Sequence, residues 1–273
     1  MSVFLVGGPS LPETESTVYR AFLAEAAALA VVAGRTAPRI AVVVVHHEDG
    51  TDDAAALADS IARVAAASPD APNSIDAAQI VLGIGGTVDQ AALANVDGIV
   101  VGGGLPSAYA SALAPVAGEV RRLVATGLPY LGISAGAMIT ADNAIVGGWR
   151  IGDVPVSPEG TSEGLDEVTL ADGLGLIDLA VDAHAAQWGT VSRLVAATEA
   201  GMVDGGLAVD EDTALVVGQG ALRVLGGGSV WQVFTTEHGV VVRTVGAEHE
   251  GDDDLGDFDD LDDRTTDTDG EHA

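Results

Sequence analysis

The stretch Leu128-Pro129-Tyr130-Leu131-Gly132-Ile133-Ser134-Ala135-Gly136-Ala137-Met138 decides the fold. Residues 128–133 read as a buried strand and residues 135–141 as a helix, so the chain turns sharply at Ser134. Gly132-Ile133-Ser134-Ala135-Gly136 matches G-x-S-x-G, in which glycines carry no Cβ to clash and the serine oxygen projects above the sheet edge. The start of a helix beside it offers free N–H groups to a developing oxyanion. A small-residue turn with a structural serine satisfies the same pentapeptide. Its place between an apolar strand and a helix favours a nucleophile.

Outward from this turn the same rhythm repeats. Apolar runs at 3–6, 40–45, 79–84 and 98–101 read as strands, and 14–32, 52–67 and 107–125 as helices with glycine or acidic punctuation. The run at 40–45 is β-branched with no polar interruption, the mark of a strand buried on both faces. This alternation predicts an α/β fold: a mainly parallel, doubly wound sheet with its strand C-termini along one edge. Beyond Ser134, residues 143–173 read as loop-rich and 191–200 as a helix. Short runs at 221–225, 230–234 and 240–244 predict an antiparallel strand set near the C-terminus. Residues 1–246 read as one domain and 247–273 as an acidic tail with too few apolar residues to order itself.

Composition excludes several chemistries. The 273 residues contain no cysteine and no lysine. Disulfides, thiolate metal sites, cysteine nucleophiles, Schiff bases and a P-loop lysine are therefore ruled out. A formal charge of −30 argues against nucleic acid or an anionic membrane as partner, since both require a basic footprint. No apolar run reaches the 18 to 20 or so residues that span a bilayer. The opening residues read as a first strand, not a signal peptide, so the expected location is the cytoplasm. No cofactor is expected. His46-His47-Glu48-Asp49 does not read as a metal site, because neighbouring strand residues point to opposite faces. One of the two histidines is expected to line the cleft. Gly7-Gly8 and Gly83-Ile84-Gly85-Gly86 lack the full dinucleotide-binding spacing.

A serine nucleophile requires a base. His46 and His47 precede it, His238 lies among the late strands, and His249 and His272 fall in the tail. His184 is the candidate, because the apolar stretch 174–181 before it can return to the sheet edge beside Ser134. Asp182 reads as shaping the turn there. An α/β-hydrolase esterase would instead require His238 near Ser134. A non-catalytic binding module on the same fold is favoured if no carboxylate reaches His184.

Three blocks resemble one family. Gly132 to Met138, Gly173-Leu174-Gly175-Leu176 with Asp182-Ala183-His184, and Val209-Asp210-Glu211-Asp212-Thr213-Ala214-Leu215 are similar to blocks of the cyanophycinase and dipeptidase E serine peptidases (peptidase family S51), in the same order. The resemblance implies a class I glutamine amidotransferase-like, flavodoxin-like fold and hydrolysis of peptide-like bonds next to aspartyl residues. It implies a triad acid in the loop after the serine, where Asp153-Val154-Pro155 resembles the Asp-x-Pro segment of dipeptidase E. Glu159 and Glu163 are rivals in that loop. Gly102-Gly103-Gly104 corresponds to the segment lining the oxyanion hole, with the amides of Gly103 and Ala135 as donors. A homodimer is also implied.

The chain departs from the family at the substrate side. Leu105 stands where cyanophycinases carry glutamine. After His184 the sequence runs Ala185-Ala186-Gln187-Trp188-Gly189-Thr190 and keeps only Arg193 of an arginine-rich run. Leu105, Trp188 and Arg193 are thus the expected substrate contacts, and a small peptide or amide other than cyanophycin is the expected substrate.

Overall fold

Five parallel strands form the centre of the molecule: β1 (Ser2–Val6), β2 (Arg39–His46), β3 (Asp76–Gly83), β4 (Gly98–Val101) and β5 (Tyr130–Ile133), in spatial order β1-β5-β4-β2-β3. The computed structural model describes residues 2–46, 50–68, 72–218 and 220–247. The expected tail beyond Ala247, and His47, Glu48 and Asp49, lie outside the described residues. The strand period of two divides each central strand between two cores. Phe4, Val6, Ile40 and Val42 pack beneath α1 (Pro12–Val32) and α2 (Thr51–Ala67). Val3, Leu5, Ala41 and Val43 face α3 (Pro106–Leu113) and α4 (Ala117–Ala125). Each fully buried valine or isoleucine contributes about 1.5–3 kcal/mol, which explains why 40–45 tolerates no polar residue.

The helix expected over 107–125 is two helices. Ala114-Pro115-Val116 forms a 3-10 turn between α3 and α4, because proline has no N–H for the helix and its ring crowds the preceding turn. The helix after Ser134 is also shorter than expected: α5 is only Ala135–Met138.

The region read as loop-rich contains strands. β6 (Asn143–Gly147) pairs with β9 (Thr169–Asp172), and β7 (Arg150–Ile151) with β8 (Val154–Pro155), all antiparallel. Glycine density hides their alternation. The late strands divide between two sheets, whereas one edge set was expected. β10 (Ala180–Ala183) and β11 (Gly205–Val209) pair in parallel, with α6 (Ala185–Trp188) and α7 (Val191–Glu199) between them. β12 (Thr213–Gly218) returns antiparallel to β1 and carries β13 (Arg223–Gly226) at the edge of the main sheet. β14 (Ser229–Thr236) and β15 (Gly239–Gly246) extend the β10-β11 sheet.

The segment after β1 joins the two sheets. Gly7 N–H donates to the Thr213 carbonyl and the Gly7 carbonyl accepts from His184 N–H at 2.9 Å. A Cβ on Gly7 would stand 2.2 Å from the Asp210 carbonyl oxygen, and one on Gly8 would stand 2.5 Å from His184 Cε1. Both glycines are therefore packing requirements. No helix among the described residues is long and apolar enough to cross a membrane.

Candidate active site

Ser134 sits at the C-terminal end of β5 with φ 51 and ψ −109, outside the regions that side-chain-bearing residues favour. Its N–H is held by the Val6 carbonyl at 2.8 Å. A Cβ on Gly132 would lie 2.2 Å from the Gly136 carbonyl oxygen, and one on Gly136 would lie 2.3 Å from the Val101 carbonyl oxygen. The two glycines of the motif are thus demanded by backbone-to-backbone contact.

His184 ends β10 in a left-handed conformation (φ 56), which turns its ring back over the main sheet. Ser134 Oγ lies 2.8 Å from His184 Nε2, and His184 Nδ1 lies 2.8 Å from Glu211 Oε1. A carboxylate only accepts, so Nδ1 carries the proton and Nε2 presents its lone pair to the serine hydroxyl. The Trp188 ring stacks on the imidazole, with centroids 3.9 Å apart and planes within 10°. His184 is 6% exposed.

Glu211 follows β11, the parallel neighbour of β10, and the loop is clamped from both sides. Glu211 N–H donates to Gln187 Oε1 at 2.9 Å. The Asp210 carboxylate accepts from the N–H groups of Ala186 and Ser229 and from Trp231 Nε1.

The expectation that Asp153 orients His184 is corrected by this geometry. Asp153 lies in the exposed turn between β7 and β8, while the Nδ1 partner of His184 is Glu211. Glu159 lies exposed in the 3-10 turn Glu159–Thr161. Glu211 was missed because it comes after the histidine in the chain. The available signal was an acid just past an apolar strand end, inside the quoted block 209–215.

Arg193 is likewise no substrate contact. It is 1% exposed and held by Asp182 through Nε (2.9 Å) and Nη2 (2.7 Å). Its Nη1 donors reach the carbonyls of Gly148 and Thr161. Asp182 therefore does more than shape a turn: it neutralises this cation beneath the relay strand. His238 stands exposed beside Glu237 at 3.5 Å, in the turn between β14 and β15.

A cavity of about 570 Å³ opens over Ser134 and His184, walled in part by Gly103, Leu105 and Trp188. Among the described residues the Gly103 and Ala135 amides have no hydrogen-bond acceptor, while Gly136 N–H is bound to the Gly102 carbonyl at 3.2 Å. Two buried tyrosines fix the strands of this turn. Tyr109 Oη donates to the Gly103 carbonyl at 2.9 Å and Tyr130 Oη to the Gly136 carbonyl at 2.8 Å. Burial raises both phenol pKa values, so both remain donors. His46 also reaches the cavity, 3.0 Å from Asp53 through Nε2. Among the described residues no three metal-ligating side chains converge.

A serine hydroxyl, an imidazole and a carboxylate in series, set at the rim of a mostly parallel α/β sheet, define the class of protein. The chain belongs to peptidase family S51, whose model matches residues 85–225, just over half of its length. It is 36% identical over 126 residues to a cyanophycinase from Trichormus variabilis, covering 45% of this chain and 39% of that protein. A cyanophycinase from a Nostoc species matches over the same shares with the same identity. The aligned part of the chain thus spans well under half the length of these curated relatives. In fold, the chain is similar to the crystal structure of a peptidase from an acI-B1 Actinobacterium, with TM-score 0.59, 17% identity and coverage of 91% of this chain and 95% of that one.

Proposed function

We propose that the chain is a serine hydrolase that cleaves an amide bond in a small peptide or isopeptide. Ser134 Oγ attacks the carbonyl carbon while His184 Nε2 takes its proton, and Glu211 holds the imidazolium that forms. The Gly103 and Ala135 amides receive the oxyanion, a donor pair of which each member is worth about 10²–10³ in rate. His184 returns the proton to the leaving nitrogen as the C–N bond breaks, and a water deprotonated by the same imidazole releases the acyl group. The observation that carries this reading is the unbroken relay of two 2.8 Å contacts through His184.

The same relay speaks against a non-catalytic pocket, since a carboxylate does reach the far ring nitrogen. The exposure of His238 speaks against the esterase order. Leu105 in the cavity wall and Arg193 beneath it support a substrate other than cyanophycin. A fluorophosphonate probe is expected to label Ser134 covalently in the native chain, with the Ser134→Ala variant unlabelled. Native chain that stays unlabelled overturns the reading.

A further inference from the structure

The cavity over Ser134 holds a carboxylate that this chemistry does not use. Glu163 lines the same space as Ser134 and His184, from a left-handed backbone position (φ 54) followed by a second one at Gly164 (φ 77). A side-chain-bearing residue in that conformation is held there by its surroundings. Gly147 makes it possible: a Cβ there would lie 2.6 Å from the Ser162 carbonyl oxygen and 2.9 Å from Glu163 Cβ. The β6-to-β9 excursion therefore packs so as to present this one side chain at the wall.

Among the described residues the Glu163 carboxylate has no hydrogen-bond or ion-pair partner. Burial raises its pKa, Arg193 opposes that rise and Asp182 adds to it. Arg193 makes no hydrogen bond to Glu163, four of its five N–H donors being bound to Asp182, Gly148 and Thr161. A partly desolvated acid without a partner is stabilised by a cation arriving from outside. The rest of the cavity has the same sign. Asp53 stands beside His46, Glu211 lies behind His184, and among the described residues neither arginine nor lysine lines the space.

We propose that Glu163 is a specificity-determining residue that seats an organic cation, an ammonium or guanidinium group carried by the substrate beside its scissile amide. This rests on Ser134 being the nucleophile of the same cavity. A charge-assisted hydrogen bond at a half-buried site favours such a substrate over a neutral isostere by about 10- to 100-fold. A substrate carboxylate in the same place meets like charge.

The test separates binding from chemistry. In the Ser134→Ala chain, titration calorimetry with the Nα-acetylated forms of argininamide, leucinamide and aspartic acid amide, which carry no α-ammonium, is expected to give argininamide the lowest Kd, by about tenfold or more over leucinamide. Adding Glu163→Gln, or Glu163→Gly, which also relieves the left-handed strain and so guards against misfolding, is expected to bring the two Kd values together. The preference is also expected to weaken on acidification, starting above the usual carboxylate pKa of 4.5, as Glu163 takes up its proton. Fluorophosphonate labelling of the native chain runs alongside. Labelling at Ser134 with equal binding of the three amides, or with the acidic one bound best, overturns the cation seat and leaves the hydrolase standing. A Glu163-dependent argininamide preference without labelling overturns the hydrolase and supports the seat.

Discussion

The two halves of the site are built on different principles. The serine half is local: β5, one strained residue and α5 place Ser134 within a single continuous segment, and a Cβ on Gly132 or Gly136 would stand 2.2 or 2.3 Å from a backbone carbonyl oxygen. The relay half is assembled. His184 and Glu211 stand 27 residues apart and meet only because β10 and β11 pair in parallel and end side by side. What holds the first half is close backbone packing at the glycines together with backbone hydrogen bonds to Val6 and Gly102. What holds the second is hydrogen bonding and a buried ion pair between segments. Sterics tolerate no substitution of the glycines, whereas the relay half fails one bond at a time.

The largest expected effect breaks the relay half outright. His184→Ala is expected to lower kcat by about 10⁶-fold and Glu211→Gln by about 10⁴-fold, with Asp153→Asn within about twofold of the native chain. Steady-state rates on any amide the native chain turns over check this order. If Asp153→Asn falls as far as Glu211→Gln, the assembled relay described here is wrong.

Next in size is the support beneath that half. Arg193→Met leaves Asp182, 0% exposed, charged and without its cation, and is expected to destabilise the fold by about 3–5 kcal/mol in urea unfolding. Replacing both partners together, Arg193→Met with Asp182→Leu, is expected to recover most of that loss. An unchanged unfolding midpoint in the single variant would show that the pair contributes nothing.

The smallest effect sharpens the serine half. Tyr109→Phe removes the donor to the Gly103 carbonyl, and is expected to lower kcat by about tenfold while changing stability by only about 1 kcal/mol. Rates and melting curves measured on the same preparation distinguish loosening of the Gly103 loop from loss of the core. A fall in stability without a fall in rate assigns Tyr109 to packing alone.

Legibility in the sequence follows the same division. Ser134 is readable because its motif, strand and helix are contiguous and because each requirement selects a residue type. The 40–45 run announces its burial on two faces, and the helices 14–32 and 52–67 lie within two residues of α1 and α2. Asp153 misled because it shares a loop with the expected acid position, yet chain proximity does not place it near His184. Arg193 misled for a related reason. An arginine near a site reads as a substrate contact until a buried aspartate is found to hold it. Strands β6 to β9 stayed hidden because glycine, proline and acids erase the apolar alternation that marks a strand.

The sequence by itself determined the parallel α/β class, the sharp strand-to-helix turn at Ser134 and the exclusion of thiol, lysine and P-loop chemistry, since each rests on residue type or on local pattern. Only the tertiary structure decided that Glu211 completes the relay, that Arg193 is sealed beneath it and that Glu163 faces the cavity. These depend on which strand ends lie side by side. That is settled by long-range pairing and packing, which leave no local pattern in the chain.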